Sequence, residues 1–322
     1  MGDERELPEQ AAGGAGVRHV RIGEDQDGQR IDNFLLTLLK GVPRSRIYRL
    51  LRKGEVRING KRAKAEQRLV IDDTVRVPPV RVAERDPHEP AQGLVRRITD
   101  AVIFEDDALI VLDKPSGIAV HGGSGVDHGV IEALRTARPE THFLELVHRL
   151  DRDTSGLLMV AKKRSMLRHL HDALRGEQVE KHYQALLCGV WRGGARRVEA
   201  PLHKFVLPNG ERMVRVSPEG KPSSSVFTPL TTFRDATLVD VRLETGRTHQ
   251  IRVHAQFEKL PVAGDPKYGD EACNGRLRDL GLKRLFLHAH RLRAPMPDGT
   301  YREFVAELPA ELGAVLARLP KA

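Results

Sequence analysis

Nine consecutive residues, 148–156, bring together side chains that could do acid–base or nucleophilic chemistry. They read His-Arg-Leu-Asp-Arg-Asp-Thr-Ser-Gly, and an apolar run with the character of a buried strand follows from Leu157 to Ala161. Polar groups beside a core cost free energy unless they are bonded or used, so this segment predicts a functional loop. The alternative interpretation is a tight structural loop in which the aspartate, threonine and serine side chains satisfy backbone donors.

Strands must position this loop, because short strand-like runs dominate the chain from about residue 100 onward. The clearest runs are Leu109–Leu112, Leu157–Ala161, Tyr183–Leu187, Val214–Val216 and Leu238–Leu243. Helical patterns are found over 128–137, 165–175 and 248–258. Many strands with few helices predict an α+β fold with a mixed, largely antiparallel sheet.

A smaller unit precedes this region. Apolar residues at helical spacing predict one helix from Ile31 to Leu39, and a second that Ser45 would cap and Gly54 would end. Asn59-Gly60 then predicts a hairpin turn, so the unit is expected to be a small α/β domain. The predicted divisions are a disordered tail over 1–17, the small domain over 29–82, a linker over 83–97 and the main domain over 98–315.

The positive charge of the chain is concentrated in this small unit. Lysine and arginine number 53 against 44 aspartate and glutamate, a net charge of +9. Residues 30–82 alone hold 14 basic and 5 acidic residues, an excess equal to that of the whole chain. This concentration predicts a nucleic-acid partner, with an ordinary solvated surface as the alternative.

The two cysteines and the apolar pattern bear on where the protein works. Cys188 and Cys273 are far apart and belong to no CxxC or Cys/His cluster. They predict neither a disulfide scaffold nor a zinc site, and they favour a reducing compartment. No apolar signal core begins the chain and no stretch reaches membrane-spanning length. We therefore expect a cytoplasmic protein without a membrane partner, acting as a monomer.

The helix-helix-hairpin pattern of the small unit resembles the S4 RNA-binding domain. The resemblance rests on Arg30 and Asp32, on Ser45-Arg46, and on the segment Gly54-Glu55-Val56-Arg57-Ile58-Asn59-Gly60. A short basic helix can hold cations on a rigid face that contacts phosphates. The residues expected to bind RNA are Arg30, Arg44, Ser45, Arg46, Arg49, Lys53 and Lys61.

Motifs in the main domain resemble those of the RluA family of pseudouridine synthases. In chain order they are Asp113-Lys114-Pro115-Ser116-Gly117, His148-Arg149-Leu150-Asp151, Lys181-His182-Tyr183-Gln184-Ala185, the segment 245–254, Gly264-Asp265-Pro266-Lys267-Tyr268-Gly269 and 284–289. Residues 121–125 and 143–147 further resemble the C type of the ribosomal large-subunit enzymes. The resemblance extends from about residue 30 to about residue 310, and it implies isomerisation of uridine to pseudouridine in 23S ribosomal RNA, with no cofactor.

The resemblance implies three catalytic residues. Asp151 would be the catalytic carboxylate, either as nucleophile or as a base at the sugar. Arg252 would keep it ionised inside an apolar pocket, with Arg247 as the second candidate. Tyr183 would stack on the target base and offer its hydroxyl for proton transfer, and core packing is its alternative role.

Four further residues are expected to bind the substrate. Arg149 would hold the flipped nucleotide, although an ion pair with Asp153 is an alternative role. Arg247 would grip a phosphate if it does not pair with Asp151. Ile251 and Leu287 would wall the uracil, or could be plain core residues.

Other functions stay open at this point. His148, His249 and His254 suggest a metal triad, but the five-residue spacing of His249 and His254 does not fit one helix face, so we expect no metal. The same chemistry on another large-subunit site or on transfer RNA is one alternative. A non-catalytic S4-type ribosome-assembly factor is another. A nucleoside or glycoside hydrolase is a third alternative. It would need a second carboxylate for acid–base work, and Asp153, only two residues from Asp151, is awkwardly placed to act across one sugar.

Overall fold

The protein folds as two compact units, Met1–His88 and Glu89–Ala322. The computed structural model describes residues 16–39, 42–80, 89–123, 126–208 and 210–322. All but the last two residues of the predicted tail over 1–17 lie outside the described residues, as do residues 83–88 of the predicted linker. No helix among the described residues is long and apolar enough to cross a membrane.

The first unit packs two helices on a four-stranded antiparallel sheet with the order β1-β4-β2-β3. Its elements are β1 (Arg18–Arg21), α1 (Ile31–Leu38), α2 (Arg44–Lys53), β2 (Arg57–Ile58), β3 (Lys61–Arg62) and β4 (Thr74–Val77). Apolar residues of both helices and of strands β2 and β4 form one buried cluster, against which Val20 of β1 packs. The Asn59-Gly60 hairpin is confirmed, because both residues have positive φ, as a type I′ turn requires.

The start of α2 differs from the sequence prediction. Gly54 ends the helix in the left-handed conformation as expected. Ser45 does not cap it, because the helix begins at Arg44 and Pro43 occupies the capping position. Proline suits the start of a helix, since the amide it lacks would have no partner there. Ser45 therefore lies exposed in the first turn.

The second unit is built on a ten-stranded sheet with the order β10-β13-β14-β9-β15-β8-β6-β5, with β16 added beside β15 and β7 beside β8. Its elements are α3 (Gln92–Asp100), β5 (Val102–Glu105), β6 (Leu109–Lys114), α4 (Val130–Ala137), β7 (Glu145–Leu146), β8 (Ser155–Ala161), α5 (Arg164–Arg175), β9 (Glu180–Cys188), β10 (Arg196–Glu199), β11 (Leu202–Val206), β12 (Arg212–Val216), β13 (Ser224–Thr232), β14 (Ala236–Leu243), α6 (Gln250–Phe257), α7 (Glu271–Asp279), β15 (Leu287–Pro295), β16 (Tyr301–Val305) and α8 (Ala310–Arg318). Strands β11 and β12 form a separate hairpin.

The sheet is mixed and largely antiparallel, which confirms the predicted fold class. Among its described pairings, only that of β15 with β8 is parallel. Apolar side chains fill both faces: Leu158 and Val160 of β8 join the cluster that includes α4 and α6, whereas Leu157 and Met159 join the cluster that includes α5. All seven residues of β8 are buried. A strand covered on both faces reads as a continuous apolar run, which is the pattern seen in the sequence.

Two sequence predictions about this unit are wrong. The linker over 83–97 overlaps helix α3, whose Leu94 and Val95 pack against the core cluster that contains Ile98. Cys188 and Cys273 form a disulfide between β9 and α7. The pairing could not be predicted from the sequence, because the two cysteines are 85 residues apart and only the packing of β9 and α7 into one buried cluster brings their side chains together.

Candidate active site

Asp151 lies in the turn that leads into β8, and a buried lysine fixes the backbone of that turn. Lys114, at the end of β6, donates from Nζ to the carbonyl oxygens of Pro115, Ile118 and Arg152, at 2.9, 2.9 and 3.1 Å. Burial lowers the pKa of Lys114 to about 7, and the charges of Asp153 and Asp151 oppose that shift. Since Arg152 follows Asp151 directly, this lysine holds the loop that carries Asp151 in place.

Two basic side chains from the start of α6 face the Asp151 carboxylate. The Nη1 atom of Arg252 lies 3.5 Å from Asp151 Oδ2, and the Nε2 atom of His249 lies 3.8 Å from the same oxygen. Arg252 and Asp151 are 101 positions apart in sequence, and the structure places them together as the motif resemblance implied. The proximity of His249 was not predicted.

The tightest contact of Arg252 is made with a residue that sequence reasoning did not nominate. Its Nε and Nη2 atoms each donate to Asp265 at 2.7 Å, and both side chains are almost fully buried, 4% and 0% exposed. Burial alone would raise the pKa of the Asp265 carboxyl, but Arg252 and two backbone amides hold that pKa below its usual value. Arg252 therefore offers only Nη1 to Asp151. Asp265 lies in the motif 264–269, which was the feature of the sequence that could have nominated it.

Tyr268, from the same segment, supports both basic side chains. Its ring centroid lies 5.0 Å from the Arg252 guanidinium carbon, and its hydroxyl lies 2.8 Å from His249 Nδ1. The backbone amide of Val214 donates to that hydroxyl. The hydroxyl can thus give its own proton to Nδ1, which leaves Nε2–H directed towards Asp151. Burial lowers the pKa of His249; the Asp151 charge opposes this shift and the Arg252 charge adds to it, so the net effect favours the neutral ring.

All seven predicted catalytic and substrate-binding residues line one cavity of about 480 Å³. They are Asp151, Tyr183, Arg252, Arg149, Arg247, Ile251 and Leu287. The cavity has room for a nucleotide base and part of its sugar. Sequence motifs that span 139 positions therefore converge on a single concave site.

The apolar side of the cavity is made by the sheet and by α6. Tyr183 on β9 and Leu287 on β15 come from neighbouring antiparallel strands, and both are buried together with Ile251. Burial, followed by the Asp151 charge, raises the pKa of Tyr183 above its usual value, so its hydroxyl keeps its proton at pH 7. This arrangement gives an aromatic ring, two aliphatic side chains and one hydroxyl around the space beside the carboxylate.

Arginines stand at the mouth of the cavity. Arg149 is exposed and does not pair with Asp153, whose nearest cation is Arg152 at 3.2 Å, so the alternative ion pair is not formed. Arg247 donates from Nε to the carbonyl of Pro222 at 3.1 Å, whereas the described ion pairs of Asp151 are with His249 and Arg252. Both arginines therefore have guanidinium donors left to offer a ligand, and Arg252, not Arg247, is the cation beside Asp151.

One group outside the cavity has side chains of the kind that bind metals. His182, Asp240 and His290 offer ligand atoms within 4.8 Å of one another. Asp240 lies 2.8 Å from a ring nitrogen of each histidine, and Arg291 donates to the other nitrogen of His182 at 3.1 Å. A donor on Nε2 requires the proton of neutral His182 to be on Nδ1, where it bonds Asp240. Hydrogen bonds within the protein thus account for this group.

In the first unit, six of the seven predicted RNA-binding residues have exposed side chains: Arg44, Ser45, Arg46, Arg49, Lys53 and Lys61. Arg30 instead grips Asp32 with two hydrogen bonds, of 3.1 and 2.7 Å. The Tyr48 hydroxyl also donates to that carboxylate, which is almost fully buried. Asp32 therefore joins the start of α1 to α2 through Tyr48, and Arg30 balances the charge of that carboxylate, a role in folding that the sequence did not reveal.

Comparison with known proteins gives this site a family. A model described as RNA pseudouridylate synthase matches residues 108–257, and a model of the S4 domain matches residues 29–75. The ribosomal large subunit pseudouridine synthase C of Haemophilus influenzae is 53% identical over 306 residues, covering 94% of this chain and 95% of that protein. The chain belongs to the RNA pseudouridylate synthase family. The protein of the same name from Escherichia coli K12 is 54% identical over 301 residues, covering 92% and 94%.

Solved structures agree with this assignment for the larger unit. Human RNA Pseudouridylate Synthase Domain Containing 4 has a TM-score of 0.58 and 28% identity, covering 71% of this chain and 98% of that one. Human RNA Pseudouridylate Synthase Domain Containing 1 has a TM-score of 0.55 at 22% identity, covering 69% and 96%, which shows the shared fold alone. Both predictions of family, synthase and S4 domain, are confirmed.

Proposed function

We propose that this chain converts specific uridines of 23S ribosomal RNA to pseudouridine, working in the cytoplasm as a monomer without a metal or cofactor. One observation carries the proposal: a single ionisable carboxylate, Asp151, stands in a cavity of nucleotide size beside an arginine and a tyrosine. The large-subunit substrate is carried over from the names of the relatives. The exposed basic face of α2 supplies sequence-independent contacts to RNA phosphates.

The chemistry needs a group that acts at the nucleoside while the base is detached and turned. The bond between uracil N1 and ribose C1′ breaks and C5 of the uracil joins C1′. C5 loses its proton and N1 gains one, so the product is an isomer of the uridine. Asp151 acts as the nucleophile or as the base at the sugar, and the geometry of its partners serves both roles. Arg252 Nη1 and the neutral His249 face Oδ2, so the carboxylate is held in one orientation.

The other residues receive and retain the base. Taking a uridine out of its stack costs a few kcal/mol, which contacts in the cavity must offset. Tyr183, Ile251 and Leu287 give an apolar slot for the uracil ring. Because Tyr183 keeps its proton, its hydroxyl can donate to the base or relay the proton that leaves C5. Arg149 at the mouth holds the flipped nucleotide.

The test compares Asp151→Asn with the matched variant Asp153→Asn in the same loop. Pseudouridine is mapped across ribosomal and transfer RNA from cells that lack the gene and carry each variant. We expect missing 23S positions that the Asp153 variant restores and the Asp151 variant does not, although both proteins bind the RNA. If pseudouridine is missing from transfer RNA only, the substrate is transfer RNA and not 23S ribosomal RNA. If no pseudouridine is missing from either RNA, a non-catalytic binding factor is favoured.

A further inference from the structure

Lys181 lies on the cavity side of the sheet, close to the catalytic tyrosine. It precedes Tyr183 by two positions on β9, so the two side chains leave the same face of the strand. Both line the cavity. A side chain carbon added at Gly246 would lie 3.6 Å from Lys181 Nζ, which places the ammonium against the loop before α6. The ammonium therefore stands between the base slot and the segment that carries Arg247.

The charges around the cavity leave Lys181 without a counterion. Asp151 is the only acidic residue of the lining, against five lysines and arginines. Asp265 binds Arg252, and Asp172 binds Arg175. Within the described ranges, by contrast, Lys181 Nζ has no hydrogen-bond acceptor or ion-pair partner. Burial lowers the pKa of Lys181, and the charge of Glu177, with which it forms no ion pair, opposes that shift.

A largely desolvated ammonium without a partner is costly, and an anion that enters with the substrate would remove that cost. Every nucleotide supplies such an anion in its flanking phosphates. The uracil carbonyls are weaker, neutral acceptors, and the base slot is formed by Tyr183, Ile251 and Leu287. The position of Lys181 against the Gly246 loop, next to Arg247, suits the backbone of the flipped nucleotide.

We propose that Lys181 binds a phosphate adjacent to the flipped uridine and so sets the depth at which the nucleotide enters the cavity. This inference rests on the proposed function, because it assumes that an RNA nucleotide occupies the site. Lys181 is thus a substrate-binding residue for a phosphodiester. Arg149 and Arg247 at the mouth would hold the neighbouring phosphates.

The experiment is a double-mutant cycle between the protein and the RNA. Lys181→Met removes the charge at similar volume, Lys181→Arg keeps it, and exposed Lys283→Met controls for the loss of one positive charge. The RNA carries an uncharged methylphosphonate in place of the phosphate on the 5′ or the 3′ side of the target uridine, each against a matched 2′-deoxy phosphate. The measured quantities are kcat/KM for pseudouridine formation and the Kd for the RNA.

On RNA with normal phosphates, Lys181→Met should lower kcat/KM about tenfold to hundredfold, as expected for a lost charge-assisted hydrogen bond. Lys181→Arg should keep most of the activity and Lys283→Met all of it. At one of the two flanking positions, the methylphosphonate should lower the kcat/KM of the native protein by a similar factor. On that RNA, the kcat/KM of Lys181→Met should be no more than about twofold below that of the native protein. That non-additivity identifies the phosphate.

Additive losses at both positions would overturn the inference and point to a contact with the uracil or to a structural role. If Lys181→Met fails to fold, the native protein still decides the matter, because equal kcat/KM on charged and neutral linkages excludes a phosphate contact. If the native protein forms no pseudouridine, the proposed function fails. The Kd cycle then still tests whether Lys181 recognises a phosphate.

Discussion

Replacing Asp265 with asparagine tests whether this buried carboxylate orients Arg252, the arginine beside Asp151. The substitution keeps the shape and one acceptor oxygen but removes the charge opposite Arg252. Breaking one side of a fully buried ion pair costs about 3–5 kcal/mol, since it leaves a charge without a partner. We expect the lower end, about 3 kcal/mol of unfolding free energy, because the amide oxygen still accepts one hydrogen bond.

The effect on catalysis follows from the geometry around Arg252. Only Nη1 faces Asp151 now, at 3.5 Å. Once freed, the guanidinium can turn and bind both oxygens of Asp151, which blocks the carboxylate from the sugar. A cost of about 2.7 kcal/mol to displace it corresponds to a hundredfold lower kcat. KM should change little, because Asp265 is buried and faces no phosphate.

The measurements are urea unfolding and the single-turnover rate of pseudouridine formation, with exposed Asp279→Asn as the control variant. The control should match the native protein in both. A kcat within threefold of native, together with a loss of stability, would show that Asp265 is only structural. An unchanged unfolding free energy would refute the reasoning about the buried ion pair itself.

Two further predictions concern the RNA-binding helix and a buried histidine. Arg46→Gln with Arg49→Gln should reduce the slope of log affinity against log salt by roughly 1.4–1.8 in total, and an unchanged slope would exclude α2 as a phosphate contact. Burial lowers the pKa of His288 to about 4, so its stabilising effect is complete above pH 6.5 and is lost as pH falls towards 4. Between pH 6.5 and 4, the free energy of unfolding of the native protein, measured with urea, should fall by roughly 3 kcal/mol more than that of His288→Gln. The exposed variant His121→Gln should behave like the native protein.

Much of the fold could be predicted from local sequence patterns, because strands and turns have characteristic residues at short spacings. The apolar run before Ala161 predicted a strand covered on both faces, and Asn59-Gly60 predicted its hairpin. The same patterns missed helix α3 behind Pro90, since a short helix with one apolar stripe resembles a polar linker. They also missed the disulfide of Cys188, because pairing at long range depends on packing that no local window contains.

The residues of the candidate site likewise include some that the sequence predicted and some that it did not. The residues that face the nucleotide, such as Asp151 and Tyr183, were nominated through motif resemblance, and the structure groups them in one cavity. The residues that hold those groups in place were not nominated, and they include Asp265 and Tyr268. Both lie in the motif 264–269, which was the signal available in the sequence, but their roles arise from hydrogen bonds across chain segments that residue type and spacing alone do not assign.

The position of β15 in the sheet bears on how the enzyme comes into being on the ribosome. Although β8 and β9 are consecutive strands, each pairs with β15, which begins only at Leu287 and lies between them. During synthesis, the upstream strands therefore wait with two open hydrogen-bonding edges, a state that invites aggregation. A chain that stops short of this strand lacks the pairing that joins β8 to β9, and it lacks Leu287, which lines the cavity.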